Sequence, residues 1–346
     1  MAKKLLEIVS IEPTKAIYRE YEEKPLKEDE IRATVEFAAA KHGSEFAGFR
    51  GDGVLEHHSY DGEKSLFVPR KSEYKFYAEV GNMWVGRVTE VGLAVGHIKP
   101  GMRVAAHGNF RVTHTRKAAN VLILPDEMCW KTAVCYDPLQ FALGGVRDGN
   151  VRVGDSVAVV GLGAIGQMAV QLARKSGAAK VIVCDPIEYR RKVALANGAD
   201  HAIDSGREDA GYIIKELTGG RGADVVVEAS GYYAGLQSAI RGAALNANVA
   251  AVGWYHGDKA PFDLSWEAHF NQPNLIFSRA CSEPSRDYPR WDFGRICETC
   301  WEMLLNGWIK CENIVDPVVP FEDAAQAYME IFADPSASVK LGVSYT

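Results

Sequence analysis

From about residue 139 onward, short and almost wholly apolar runs (SVAVVGLG, KVIVCDP, DVVVEASG, NVAAVGWY) alternate with longer amphipathic stretches such as IGQMAVQLARKSG and REDAGYIIKELTGG. The first kind predicts strands buried on both faces, and the second, with its helical spacing of apolar positions, predicts helices that cover them. Such alternation implies a parallel sheet, because consecutive parallel strands need a crossover that lays helices on the sheet. Before residue 139 the pattern differs. There IRATVEFAAA, WVGRVTEVG and MRVAAHG are short extended segments punctuated by glycine and Pro100, which predicts a compact, mostly β domain. After about residue 281, DFGRICETCWEMLLNG and EDAAQAYMEIFAD predict helices and VKLGVSY a closing strand, expected to pack back onto the first domain. The expected organisation is therefore an α/β chain divided at 1–138, 139–280 and 281–346, with a doubly wound parallel sheet in the middle and no internal repeat.

Composition narrows the function. A chain of 346 residues, 47% hydrophobic and 24% charged, suits two well-filled domains. A net charge of −6 offers no concentrated cationic surface, so neither nucleic acid nor an anionic membrane is an expected partner. The opening MAKKLLEIVSIEPTK is interrupted by Glu7 and Glu12 and does not read as an export signal, and no later run reaches the roughly 20 apolar residues of a membrane helix. Seven cysteines, an odd number set mostly in apolar patterns, do not resemble a secreted disulfide framework. The expectation is a cytoplasmic protein acting on a small molecule.

The strongest local signal is SVAVVGLGAIGQMAVQLA, in which a predicted strand runs into Gly161, Gly163 and Gly166 and then directly into an amphipathic helix. This is G-x-G-x-x-G in the strand-turn-helix context of a Rossmann dinucleotide site. Gly161 allows the tight turn and Gly163 lets the pyrophosphate approach the backbone. Ala164 and Ile165 open the helix whose N-terminus faces the phosphates, and Gly166 lets that helix pack closely on the strand. The next strand ends at Asp185, 19 positions after Gly166, where a carboxylate accepts hydrogen bonds from the adenosine ribose and repels a 2′-phosphate. NAD is the expected cofactor, with Arg190, also on the cofactor side, and Arg191 keeping NADP open. Downstream, Ser230 and Gly231 follow Glu228 at one predicted strand end, and Gly253, Trp254 and Tyr255 close another. Ligands collect at such ends, and Trp254 has a flat face for nicotinamide or substrate, ordinary packing being the plainer alternative.

The order of motifs over nearly the whole chain resembles the medium-chain dehydrogenase/reductase family, to which zinc-type polyol and alcohol dehydrogenases belong. AAKHGSEFAGFRG is similar to the family's CGICGTD segment, GNMWVGRVTEVG to its GHExxGxVxxVG segment and IKPGMRVA to its VKxGDRV turn. Asp137-Pro138, the glycine turn and Glu228 to Gly231 follow in the family's order. The resemblance implies a Rossmann domain plus a mostly β, GroES-like catalytic domain, hydride transfer at a CH–OH group, and a homodimer or homotetramer. It also implies that the catalytic zinc ligands would fall at His42, Asn82 and Asp137, with Met83 in place of the glutamate of GHE. An amide is a poor zinc ligand, so two credible donors remain. The four cysteines of the family's structural-zinc lobe have no counterpart in AAHGNFRVTHTRKAANVLILPDEM, and Cys297 and Cys300 stand at a helical spacing that suits a core face better than a metal. The expected protein is a member with no metal site.

Without zinc, a side chain must handle the proton that leaves as the alcohol is oxidised. His42 is the first choice for general acid/base, with Asp137 to orient or charge-stabilise it and Lys41 as a cationic donor to the oxyanion. Ser44 matches the family's relay hydroxyl, and Ala47 stands where a relay histidine often follows. Glu45 is a candidate proton exit, its plainer alternative being a structural acid. Asn82 can hydrogen-bond a substrate hydroxyl. The segment between the first two motifs holds His57, His58, Tyr60, Arg70, Lys71 and Tyr74, and Trp84 follows it. That mixture suits a polyhydroxylated substrate, against the plainer reading of an exposed loop. Glu45, His57, Asn82 and Trp84 are thus the substrate-side candidates. The leading expectation is an NAD-dependent dehydrogenase of a sugar, polyol or cyclitol. Reduction of an enone or quinone, non-redox elimination or epimerisation with tightly bound NAD, and a binding protein that retained the fold are the alternatives.

Overall fold

The computed structural model describes residues 5–51, 53–255 and 261–345. The chain divides into two compact units. One runs to Val134 and takes back Val315–Pro335 and the chain from Lys340; the other is Cys135–Ile314 with Ser336–Val339.

In the second unit, Ser156–Val160, Lys180–Cys184, His201–Ile203, Ala223–Glu228, Ala243–Ala251 and Asn274–Phe277 form one sheet, parallel throughout. Numbered along the chain, these strands lie in the spatial order 3-2-1-4-5-6, the doubly wound order in which growth of the sheet reverses between the first and fourth strands. Burial on both faces explains the unbroken apolar runs. Ala158, Val160, Ile182 and Cys184 pack with Ile214, Leu236, Ala239 and Ile240 from helices Ala210–Leu217 and Tyr233–Gly242. Against the opposite face lies helix Tyr136–Asp148, drawn close by Gly145, where an added Cβ would stand 2.4 Å from a methyl of Val252.

Two boundaries differ from expectation. Helix Tyr136–Asp148 belongs entirely to the second unit, so Asp137 goes with the nucleotide-type sheet and the division falls after Val134 instead of 138. The stretch 281–314 also stays there, and the return to the first unit begins at Val315. The reason is helix Phe293–Leu305: Asp292 caps it by accepting from Arg295 N (2.7 Å), and its Ile296, Cys300 and Leu304 stripe packs toward helix Tyr136–Asp148, with Trp301 edge-on to Tyr136 at 5.8 Å. An apolar face already matched within its own unit has no need of another partner.

In the first unit, Glu30–Ala39 is the central strand. It pairs antiparallel with Met83–Val91 on one side and Lys340–Ser344 on the other, and with Thr113–Lys117 near its start. Arg103–His107 and Val315–Pro320 extend the sheet. The core gathers Ile31, Val35, Phe49, Val80, Phe110, Tyr328 and Leu341. Trp84 belongs to this core and not to a substrate surface: it is fully buried, stacks on His114 at 4.8 Å and donates from Nε1 to His107 O (3.3 Å). Its strand is buried on both faces at Met83–Gly86, so strand alternation offers residue 84 no solvent side. Among the described residues no helix is long and apolar enough to cross a membrane. Trp84→Ala is expected to lower stability by about 3–5 kcal/mol, measured by urea denaturation, through the cavity it leaves.

Candidate active site

Three glycines build the turn after the first strand of the parallel sheet, each for a different reason. Gly161 has φ +86°, and a Cβ on it would lie 2.5 Å from Ser230 N; both the left-handed backbone and the close approach exclude a side chain. A Cβ on Gly166 would stand 1.9 Å from Gly161 O. Gly163 is the opposite case: nothing lies within 4 Å of where its Cβ would be. It caps helix Ala164–Lys175 with no side-chain hydrogen bond, and Gly163, Ala164 and Ile165 keep partial exposure between the buried Leu162 and Gly166. The turn is thus packed against protein on one side and open at the helix N-terminus, where backbone N–H groups and the helix dipole favour an anion. These residues fit a dinucleotide pyrophosphate.

Asp185 ends the second strand at 4% exposure. Its Oδ2 accepts from Leu162 N (2.7 Å) and its Oδ1 from Ile187 N (2.8 Å). Two amides therefore fix the carboxylate beside the turn, and an ionised carboxylate retains lone pairs for hydroxyl donors. Arg190 Nε donates to Ser338 O (2.8 Å), and burial lowers its pKa while the Asp185 charge raises it; Arg191 donates to Asp185 O (2.7 Å) and pairs with Asp204 (2.9 Å). Both guanidinium groups are already engaged within the unit.

The fourth strand ends in Glu228, fully buried and missed as a site residue by sequence reasoning. Its Oε1 accepts from Ser230 N (2.8 Å) and from the Ser230 hydroxyl, and its Oε2 from the Tyr255 hydroxyl. One carboxylate thereby joins the loop after the fourth strand to the loop after the fifth. Burial pushes Glu228 above the usual carboxylate range, and the Ser230 and Tyr255 hydrogen bonds pull it back; burial, then the Glu228 charge, drives the Tyr255 phenol upward. Gly231, at φ +71°, and Gly253, whose Cβ would stand 2.4 Å from Gly231 N, let the two loops meet, and Trp254 follows at 48% exposure. An acid ending an apolar strand, two residues before a serine, was the available signal.

In the first unit, Lys41 occupies the N-cap position of helix His42–Arg50. The His42 ring stacks on Phe46 at 4.9 Å and meets the Tyr328 edge at 6.4 Å, and Leu341 N donates to its Nε2 (3.4 Å). Ser44 is exposed two residues along. Asn82 is held by its backbone, N to Ala39 O (3.0 Å) and O from Gly108 N (2.9 Å), while its Oδ1 is buried with no hydrogen-bond partner among the described residues. His57 is exposed at the end of the short helix Val54–His57. Asp137 is 6% exposed in the first turn of its helix in the other unit.

The Glu45 carboxylate is engaged with backbone amides. Its Oε1 accepts from Lys41 N and its Oε2 from Gly81 N (3.0 Å), so the carboxylate is turned inward to tie the helix start to the residue before Asn82. Burial raises its pKa, and those two amides together with the Lys340 cation oppose the rise. Lys340 itself, 2% exposed and donating from Nζ to Ala40 O, escaped sequence reasoning. A lysine inside the apolar closing strand VKLGVSY was its only trace.

Comparison with known proteins now places the chain. A family model described as a zinc-binding dehydrogenase matches residues 164–291. D-guloside 3-dehydrogenase of Escherichia coli (strain K12) is 44% identical over 349 residues, covering 98% of this chain and 99% of that protein. The chain belongs to the zinc-type, alcohol dehydrogenase-like medium-chain dehydrogenase/reductase family. Galactitol-1-phosphate dehydrogenase from Escherichia coli shares its fold with a TM-score of 0.76 at 20% identity, covering 98% of this chain and 99% of that one. An alcohol dehydrogenase from Escherichia coli CFT073, complexed with NADH, does so at 0.75 and 20% identity, with 99% of each chain covered. As a medium-chain dehydrogenase/reductase, the protein is an oxidoreductase. At one of the positions where the family's zinc ligands would fall, Asn82 offers an amide, a poor zinc donor. Gly163→Val is expected to keep the melting temperature within about 2 °C yet weaken nicotinamide-dinucleotide binding at least about tenfold in a fluorescence titration. Gly166→Ala, by contrast, has a backbone oxygen in its way and is expected to fail to fold.

Proposed function

We propose that this chain is an NAD-dependent dehydrogenase interconverting a secondary alcohol and a ketone on a sugar or polyol, without zinc. The observation that carries the proposal is the glycine turn, closed by backbone at Gly161 and Gly166 and open at Gly163, beside the amide-fixed Asp185. The 44% identical D-guloside 3-dehydrogenase supports a sugar hydroxyl as the reacting group.

When bound, the nicotinamide accepts or supplies a hydride. Gly163, Ala164 and Ile165 hold the pyrophosphate, and Asp185 holds the ribose and disfavours a 2′-phosphate by like charge. Oxidation of the alcohol releases a proton. His42, at the start of helix His42–Arg50, takes up this proton as general base. The Ser44 hydroxyl, which donates and accepts at once, carries the proton onward, and Lys41 places a cation near the oxygen where negative charge develops. The buried Oδ1 of Asn82 suits a neighbouring substrate hydroxyl as its donor.

The deciding experiment is NAD reduction over a panel of sugars, polyols and cyclitols, repeated with chelator. Turnover is expected to survive chelation; its loss would overturn the zinc-free assignment. His42→Ala is expected to lower kcat/KM at least about 100-fold, within the range for a lost proton-transfer group. In Asp185→Ala the preference for NAD over NADP, as a ratio of kcat/KM values, is expected to fall about tenfold or more.

A further inference from the structure

The segment between the first two family motifs carries polar and aromatic side chains that the chemistry above does not use. In the first unit, helix Val54–His57 and the stretch from Arg70 to Tyr74 border an open hollow of about 360 Å3, lined by Glu56, His57, Arg70, Ser72 and Tyr74. Small-molecule sites run from about 300 to 1,000 Å3, so the space admits one compact ligand. Each lining side chain carries a hydrogen-bonding group, and none is aliphatic.

Several of these groups are fixed before any ligand arrives. Arg70 N donates to His57 O (2.8 Å) and Arg70 Nη2 to Leu55 O (2.8 Å), which ties the guanidinium to the helix, and the guanidinium lies over the Tyr74 ring at 5.4 Å. Glu56 Oε1 accepts from Gly53 N (3.2 Å). Arg70 Nε is buried and has no hydrogen-bond partner among the described residues. Tyr60 takes no part, packing edge-on against Phe67 at 5.3 Å on the neighbouring hairpin.

We infer that this hollow is a carbohydrate subsite, holding a non-reacting sugar ring of a glycosidic substrate. Glu56 and Arg70 balance in charge, which disfavours a phosphate or carboxylate, and the lack of aliphatic wall disfavours a hydrocarbon. Vicinal hydroxyls each donate and accept, and so match a carboxylate beside a guanidinium, while the Tyr74 ring offers an apolar face for sugar C–H groups. The link to turnover rests on the dehydrogenase proposal; the binding does not.

Both can be tested on the full chain. Saturation-transfer NMR with maltose is expected to show contact to the wild type, and Arg70→Met and Tyr74→Leu, each checked for an unchanged melting temperature, are each expected to weaken binding at least about tenfold. In kinetics, the ratio of kcat/KM for a disaccharide to that for sorbitol is expected to fall by a similar factor. Absence of maltose contact in the wild type, equal affinity in the variants, an unchanged ratio, or displacement of maltose by a hexose phosphate at lower concentration would each overturn the subsite. Failure of every alcohol to reduce NAD would sink the dehydrogenase proposal alone, leaving the NMR measurement to decide the subsite.

Discussion

Backbone pressed against backbone, where the first and fourth strands of the parallel sheet end, is the contact on which the nucleotide side of this protein depends. Gly161 lies against Ser230, Gly166 against the carbonyl of Gly161, and Gly253 against Gly231, each at a distance that no Cβ could share. Hydrogen-bonded loops alone would leave this junction free to shift. The buried carboxylate of Glu228 closes it, since Ser230 and Tyr255 both donate to the same group. The junction is therefore held from behind by side-chain hydrogen bonds and kept bare in front by glycine, with Gly163 alone of the three having open space over it.

On the other unit the end of the chain builds the site. Strand Lys340–Ser344 lies beside Glu30–Ala39, and from this position Leu341 reaches His42 through its amide while Lys340 reaches Ala40 through its ammonium. Glu45 adds a tie from the His42 helix to Gly81, next to Asn82. Segments far apart in sequence thus meet around the start of helix His42–Arg50. Beside this helix, the Asn82 side-chain oxygen is buried with no hydrogen-bond partner among the described residues. Burying a polar atom without a partner is costly, and its persistence points toward a ligand that supplies the missing donor.

Much of the fold was legible because its signals are local. Unbroken apolar runs, helical spacing in between and three glycines at fixed offsets each follow from backbone geometry within a few residues, so the parallel sheet, its turn and Asp185 could be placed by number. The candidate site was legible only in part. His42, Ser44 and Asn82 could be placed through motif order, but Trp84 and Glu45 were assigned to substrate because their polarity and neighbours gave no indication of which way they point. Lys340 carried too little local pattern to stand out, and Glu228 was read as the end of a strand without a role of its own.

The sequence by itself determined what short-range physics governs: where strands and helices form, where the chain turns, and where a dinucleotide can approach the backbone. Tertiary structure decided the direction of individual side chains and the allegiance of whole segments. Trp84 turned into the core over His114, Glu45 folded back onto two amides, and helix Phe293–Leu305 stayed with helix Tyr136–Asp148. Each outcome depends on partners tens to hundreds of residues away, whose competing burial and hydrogen bonding no local window of sequence contains.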